Sequence, residues 1–253
     1  MAKARTDRQK QLLEHLGETG TCSIDELCRL FDVSEMTIRR DLSSLQQEGL
    51  LIRTHGGAKL TESAFFEISF AAKTTQFVQE KRQIAERAAE MVSDGDRVIV
   101  DSGTTTGHLT RCIRDRRITV VTNALNVASD MIDNKQIDIH VCGGTLQRGS
   151  LTLVGPLATR SFESLRCDRL FLGVEGIDQT GTMTVPDIEE TLVKQAMMKA
   201  AREVIVLADH SKLGRNSFGV IGSLSSVTTL ITGRQADEDM LASLRKYTDV
   251  VVV

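Results

Sequence analysis

A run of small hydroxyl residues follows the first apolar strand pattern in the second half of the chain. It reads Asp101-Ser-Gly-Thr-Thr-Thr106 and leads into a helical pattern. Gly103 permits close approach of the backbone to a ligand. The free amides of a helix N-terminus and the hydroxyls of Thr104, Thr105 and Thr106 suit an anion. The loop lacks the P-loop lysine and the spacing of a dinucleotide-binding turn. It predicts a phosphate site, and the alternative is that a threonine simply caps the helix.

Polar residues also follow the other apolar runs. The carboxyl ends of parallel strands meet at one edge of a sheet, where ligands bind. Lys212 is a candidate second phosphate contact because a lysine there is a mobile point charge, although it could equally be a solvated surface lysine. Three carboxylates are candidates to accept hydrogen bonds from sugar hydroxyls, with the alternative that they only cap turns and helices. They are Asp178, Asp187 and Glu190. The other residues predicted for this ligand site are Asp101, Asn123, Gly144, Gly176 and Asp209.

A second cluster lies near the N-terminus. Val33-Ser-Glu-Met-Thr-Ile-Arg-Arg-Asp-Leu42 starts with a capping serine, and Leu51-Ile-Arg-Thr-His-Gly-Gly-Ala58 is a strand that turns on two glycines. Between Arg39 and Lys59 there are four bases and two acids. This pattern predicts the recognition helix and wing of a winged helix-turn-helix, with a small helical hairpin as the alternative. The predicted DNA contacts are Ser34, Glu35, Met36, Thr37, Arg39, Arg40, Arg53, His55 and Gly56.

Helical periodicity and capping signals position this second cluster. A first helix is predicted over Thr6–Leu16, ending at Gly17. Ser23 and Glu26 form a capping box at the start of a second helix. The third helix begins at Ser34, buries one apolar stripe and directs its polar residues, including Asp41, away from the core.

The remainder of the chain alternates between apolar runs and helical patterns. Several of the runs are continuous rather than alternating, as in strands covered on both faces. This order predicts a mostly parallel α/β sheet with crossover helices. The predicted limits are residues 1–60 for the DNA-binding domain, 61–76 for a linker and 77–253 for a ligand-binding domain. The apolar runs are Val98–Val100, Ile118–Val121, Ile137–Cys142, Leu170–Val174, Val204–Ala208, Leu230–Ile231 and Val250–Val253.

The composition is that of an ordinary globular protein. The net charge is -3, and 41% of the 253 residues are hydrophobic. No apolar run is long enough to cross a bilayer, and the polar, basic start is not a signal peptide. The five cysteines are widely spaced and suit core positions rather than a metal site or disulfides. We therefore expect a cytoplasmic protein without a metal, a cofactor or a membrane partner.

The motifs resemble those of DeoR-type bacterial transcription regulators over essentially the whole length. Besides the two N-terminal stretches, the resemblance includes Asp101–Thr106, Val121-Thr-Asn123, Gly143-Gly144, Gly176-Ile-Asp178 and Ala208-Asp-His-Ser-Lys212. It implies a winged helix-turn-helix followed by a sensor domain related in fold to ribose-5-phosphate isomerase. It further implies a repressor that binds double-stranded operator DNA and is released by a phosphorylated sugar or polyol. Which metabolite acts as effector stays open.

The implied relation to ribose-5-phosphate isomerase provides an alternative function, that of an isomerase-like enzyme. Glu175 and Asp178 resemble the acidic pair of the isomerases, and Lys212 resembles their lysine. The segment Thr182–Lys194, however, lacks the glycine run that accompanies their general base. We therefore predict no isomerase turnover and no catalytic residues. The first sixty residues carry nine bases and nine acids. Because a small module of zero net charge binds DNA weakly alone, we also expect a homodimer or homotetramer.

Overall fold

The computed structural model describes residues 6–61, 64 and 72–253. The chain divides into two compact units, one formed mainly by residues up to Gln76 and one mainly by residues from Phe77. The predicted linker, 61–76, lies largely outside the described residues, and the predicted domain limits stay a prediction. No helix in the described ranges has the length and apolar character needed to span a bilayer.

The first unit is a winged helix-turn-helix. Three helices pack around a core formed by Leu12, Leu16, Leu27, Ile38 and Leu42, all fully buried. A small antiparallel sheet with the strand order β1-β3-β2 completes the unit. The elements in chain order are α1 (Asp7–Thr19), β1 (Thr21–Ser23), α2 (Ile24–Phe31), α3 (Glu35–Gln47), β2 (Leu51–Thr54) and β3 (Gly57–Leu60).

The predicted capping signals are confirmed, but the predicted end of α1 is wrong. Ser23 and Glu26 form a reciprocal capping box, and the Ser34 hydroxyl accepts a hydrogen bond from the Thr37 amide. Helix α1 continues through Gly17, and the chain leaves it at Gly20, whose φ is 77°. Both glycines tolerate a positive φ, so local sequence did not distinguish an interior glycine from a terminal one.

Asp41 bonds to polar groups rather than joining the apolar stripe of α3, as predicted, but its side chain is buried. It is 6% exposed. Its carboxylate accepts hydrogen bonds from Arg8 Nε at 2.6 Å and from Gln9 Nε2 at 3.1 Å. Helical periodicity places a polar residue on a face of α3 but does not reveal that α1 covers that face. Asp41 therefore joins α1 to the recognition helix.

The second unit is built on a seven-stranded parallel sheet, as predicted. Its strand order is β15-β14-β12-β9-β4-β5-β6. Leu170 and Leu172 face one hydrophobic cluster and Phe171 faces the other, so the sheet is covered on both sides. The strands are β4 (Arg97–Val100), β5 (Ile118–Thr122), β6 (Ile137–Val141), β9 (Cys167–Gly173), β12 (Ala201–Leu207), β14 (Thr229–Thr232) and β15 (Asp249–Val252).

Helices pack on this sheet, and short antiparallel strands extend the unit. The hairpin β7–β8 and the small sheet β10-β11-β13 were not predicted, because strands of two to five residues carry little periodicity. The helices are α4 (Val78–Ala89), α5 (Thr104–Cys112), α6 (Leu125–Met131), α7 (Pro156–Glu163), α8 (Ile188–Ala200) and α9 (Glu238–Leu244). The short strands are β7 (Thr145–Gln147), β8 (Thr152–Val154), β10 (Gly176–Ile177), β11 (Thr182–Val185) and β13 (Gly219–Ser223).

Candidate functional sites

The N-terminal half of α3 presents an exposed mixed surface. Met36 is 81% exposed and adds an apolar group to this otherwise polar surface. Glu35 pairs with Arg39, whose Nε lies 2.8 Å from Glu35 Oε1. Exposed pairs of this kind contribute about 0–1 kcal/mol, so the Arg39 guanidinium can exchange its partner easily. Among the described residues, no carboxylate forms an ion pair with the exposed Arg40.

The wing is a tight hairpin whose turn lies against the start of α2. His55 and Gly56 are exposed at its tip, and Arg53 is half-buried on β2. The Gly56 carbonyl accepts a hydrogen bond from the Ile24 amide at 2.8 Å. Strand β3 also pairs with β1, through Cys22 opposite Ala58. The structure thus places the predicted DNA-contact residues on one helix and one hairpin of the same unit.

Most of the predicted effector residues lie at the carboxyl edge of the parallel sheet. Adjacent strands β12, β9, β4, β5 and β6 all end there, and their loops carry the polar residues. Gly103 has a φ of 137° and caps α5. Thr105 and Thr106 are buried, and the Thr106 hydroxyl donates to the Gly103 carbonyl at 3.1 Å. Within the described part of the chain, no side chain caps the N-terminus of α5, so the alternative in which a threonine caps the helix is wrong; the Thr106 hydroxyl instead bonds back to the Gly103 carbonyl.

A buried ionic cluster lies next to this loop, and its central residue, Lys194, was not predicted. The Lys194 ammonium is 2% exposed and donates hydrogen bonds to Asp101 Oδ2 and to the Gly173 carbonyl. It also lies 3.2 Å from Glu190 Oε1. Asp101 Oδ2 in turn accepts from the Gly173 amide at 2.9 Å. Helix α8 thereby joins the ends of strands β4 and β9.

The surroundings shift the pKa values of both Lys194 and Glu190 upwards. Burial acts to lower the pKa of Lys194, but Asp101 and Glu190 outweigh it, so the pKa lies above the ordinary lysine value. Burial raises the pKa of Glu190, an effect that the Lys194 ammonium opposes. Lys194 is therefore a permanent cation beside the predicted phosphate loop. Sequence reasoning missed it because a lysine within an amphipathic helix normally signals the solvated face.

The loop after β12 holds Asp209 and Lys212 in a single turn of 3-10 helix. Asp209 is 1% exposed, and its Oδ1 accepts from the Ser211 amide at 3.1 Å. Its other carboxylate oxygen lies 3.9 Å from Lys81 Nζ. The Lys212 ammonium donates to Glu175 Oε1 at 3.1 Å and is largely buried. Lys212 is therefore not the solvated surface lysine of the alternative interpretation.

The remaining predicted residues serve different local purposes. Asn123 is 1% exposed, and its Oδ1 has no hydrogen-bond partner among the residues that the structure describes. A Cβ at residue 144 would lie 2.7 Å from the Val154 carbonyl oxygen, and one at residue 176 would lie 2.5 Å from that of Arg215, so both glycines allow close backbone packing. Asp178 accepts from the Thr180 and Thr182 amides, and Asp187 caps α8. The contacts of Asp178 and Asp187 therefore match the alternative in which these carboxylates cap a turn and a helix.

Comparison with known proteins gives the following matches. Residues 8–64 match the DeoR-like helix-turn-helix domain, and residues 76–234 match the DeoR C terminal sensor domain. The uncharacterized HTH-type transcriptional regulator YulB of Bacillus subtilis is 35% identical, over 94% of this chain and 92% of its own. The glycerol-3-phosphate regulon repressor of Escherichia coli is 34% identical, over 90% of each chain. Ribose 5-phosphate isomerase A of Neisseria gonorrhoeae is 16% identical, over 53% of this chain and 52% of its own, with a TM-score of 0.37.

Proposed function

Because the chain belongs to the DeoR family of DNA-binding transcription regulators, we propose that it represses a sugar or polyol catabolic operon and that a phosphorylated sugar or polyol releases it. Family membership makes the protein a regulator rather than the isomerase-like enzyme that the sequence also suggested. The observation that supports a phosphate-bearing effector best is the edge of the parallel sheet, where a glycine-threonine loop lies beside the buried Lys194 and the largely buried Lys212 follows a strand two places away.

The recognition helix α3 is proposed to enter the major groove of operator DNA. Residues near its start would then approach base edges, with Met36, Thr37 and Arg40 as the principal contacts. The exposed Met36 offers an apolar surface for a thymine methyl group, and Arg40 offers a fork of donors for guanine. Ser34, Glu35 and Arg39 flank these contacts, while Arg53, His55 and Gly56 of the wing approach phosphates. Phosphate contacts supply affinity and register rather than base specificity.

Arg40→Ala is expected to weaken operator binding about 5- to 150-fold at matched salt. The reason is that a well-formed arginine contact to a base contributes about 1–3 kcal/mol of discrimination. Fluorescence anisotropy on promoter DNA and on a scrambled duplex measures both affinity and preference. Arg245→Ala, which removes an exposed arginine from the second unit, is the matched control. Equal operator affinity for Arg40→Ala and the control would remove Arg40 from the interface.

The effector is proposed to place its phosphate at the N-terminus of α5. The α5 amides and the hydroxyls of Thr104 and Thr105 would bind the anion, with Lys212 as a cationic partner. Gly103 caps α5, and the two threonines are its first residues. Asp101, just before this loop, is hydrogen-bonded to Lys194 of the buried cluster. Sugar hydroxyls would bind the other polar groups of the predicted site, namely Thr106, Asn123, Glu190 and Asp209. Asp178 and Asp187, which cap a turn and α8, and Gly144 and Gly176, which allow close backbone packing, would support the loops of this site.

Lys212→Ala is expected to reduce effector affinity at least tenfold, because it removes a charge-assisted contact to the phosphate. Isothermal calorimetry with glycerol 3-phosphate, glucose 6-phosphate and an N-acetylamino-sugar phosphate provides the measurement. Lys246→Ala, an exposed lysine of the same unit, controls for the loss of one positive charge. Wild-type affinity in Lys212→Ala for the compound that binds would exclude this role.

Assembly as a homodimer or homotetramer is part of the proposal. A DNA-binding unit with balanced charge gains affinity when two copies engage repeated half-sites, because the second contact becomes intramolecular. We place the protein in the cytoplasm, where its DNA target lies. All five cysteines are free thiols, which suits a reducing compartment.

A further inference from the structure

The first turn of α4 is joined to the loop that carries Lys212. Glu80 is 7% exposed, although a glutamate is rarely buried without a specific partner. Its Oε1 accepts a hydrogen bond from the His210 amide at 2.7 Å, and its Oε2 lies 2.7 Å from His210 Nδ1. A Cβ at Gly233 would lie 2.2 Å from Glu80 Oε1, so this glycine makes room for the carboxylate. Glu80 thus binds both the backbone and the ring of His210.

Two further contacts reinforce the same junction. The rings of Phe77 and His210 meet edge to face, with centroids 4.6 Å apart. Phe77 has a φ of 52°, a conformation that a bulky residue adopts only when its surroundings impose it. Lys81 Nζ lies 3.9 Å from Asp209 Oδ2, and both side chains are almost fully buried. We call the five residues Phe77, Glu80, Lys81, Asp209 and His210 the α4 junction.

The α4 junction stands at a particular place in the chain. Phe77 begins the second unit, directly after residue 76, which ends the segment between the DNA-binding residues and the sensor. His210 lies two residues before Lys212 in the same 3-10 turn. A displacement of Lys212 would be transmitted through His210 and Glu80 to the first turn of α4, at the start of the second unit.

We propose that Glu80 is the positioning residue through which an effector bound at Lys212 controls the affinity for operator DNA. This inference rests on the proposed function, since it requires that the phosphate of the effector engages Lys212. Allosteric control requires that the effector and the DNA favour different arrangements of a shared element, and the inference assigns that role to the α4 junction.

The contacts of Lys212 set the sign of the coupling. Lys212 Nζ pairs with Glu175, and an anion that binds Lys212 competes with this carboxylate. The arrangement in which Lys212 pairs with Glu175 is the one in which Glu80 holds His210. In a repressor released by its effector, that arrangement is the one that binds DNA. Breaking the junction by mutation should therefore mimic the effector.

The test measures operator binding by the full-length protein with no effector added. Glu80→Ala and His210→Ala are each expected to weaken binding to promoter DNA at least tenfold. Glu80→Gln keeps an acceptor for the His210 amide and should lie between Glu80→Ala and wild type. Glu86→Ala is the matched control, because Glu86 is on the same helix and forms only an exposed pair with Arg82. This control should stay within twofold of wild type.

Two additional measurements distinguish a variant that populates the DNA-binding arrangement less from a variant that is misfolded. Stoichiometric titration gives the active fraction, and the slope of log affinity against log salt counts the phosphate contacts. Both should equal the wild-type values in the junction variants, because their DNA-binding unit is intact. If Glu80→Ala does not fold, His210→Ala decides the outcome. Operator affinity within twofold of wild type in the folded junction variants would overturn the inference alone. Failure of the wild-type protein to prefer promoter DNA would contradict the proposed function and the inference together.

Discussion

Lys194→Met is expected to destabilise the second unit by about 3–5 kcal/mol, the usual cost of removing one partner from a buried ion pair. The substitution keeps most of the side-chain volume and removes the charge, so the loss is electrostatic. Asp101 would remain buried without its cation, and Glu190 would lose the ammonium 3.2 Å from its Oε1. For a unit of this size, the thermal midpoint should fall by roughly 6–20 °C.

Circular dichroism melts of the full-length protein provide the measurement. Lys199→Met is the matched control, since Lys199 is an exposed lysine on the same helix and its replacement should change the midpoint little. Adding Asp101→Asn to Lys194→Met removes the unpaired carboxylate and should recover part of the loss. A melt of Lys194→Met that coincides with the control would show that the cluster does not stabilise the sheet edge.

Gly57→Ala is expected to destabilise the first unit by about 3 kcal/mol and to remove operator binding. A Cβ at this residue would lie 2.2 Å from the Cys22 carbonyl oxygen and 3.2 Å from the Ser23 Cα. Both are backbone atoms, so β1 must separate from β3. A domain of about 60 residues has only roughly 3–9 kcal/mol of stability, and the substitution would remove much of it.

The neighbouring glycine is the control for this second prediction. Gly56 has a φ of 85°, and a Cβ there would meet nothing within 4 Å. Asparagine adopts positive φ more readily than most residues, so Gly56→Asn should lose much less stability than Gly57→Ala. Thermal unfolding distinguishes the two variants. Similar melts for Gly57→Ala and Gly56→Asn would mean that the β1–β3 pairing adjusts without cost.

The architecture followed from local patterns to a large extent. Continuous apolar runs predicted the parallel strands, and capping signals predicted where α2 and α3 begin. Both depend on residues close in sequence, because hydrophobic periodicity and capping arise within one or two turns. The end of α1 was wrong because Gly17 and Gly20 give the same local signal.

Only the tertiary structure decided which polar side chains are buried, and with which partners. Asp41 is paired with Arg8 from a helix more than thirty residues away in sequence, and Lys194 with Asp101 from a strand end 93 residues away. The free energy of a buried charge depends on a partner brought close by folding, which periodicity within one helix does not record. The sequence by itself determined the family, the order of elements and the edge of the sheet where polar loops gather. Only the folded structure shows that the buried Lys194 connects that edge to α8 and that the buried Glu80 connects it to α4.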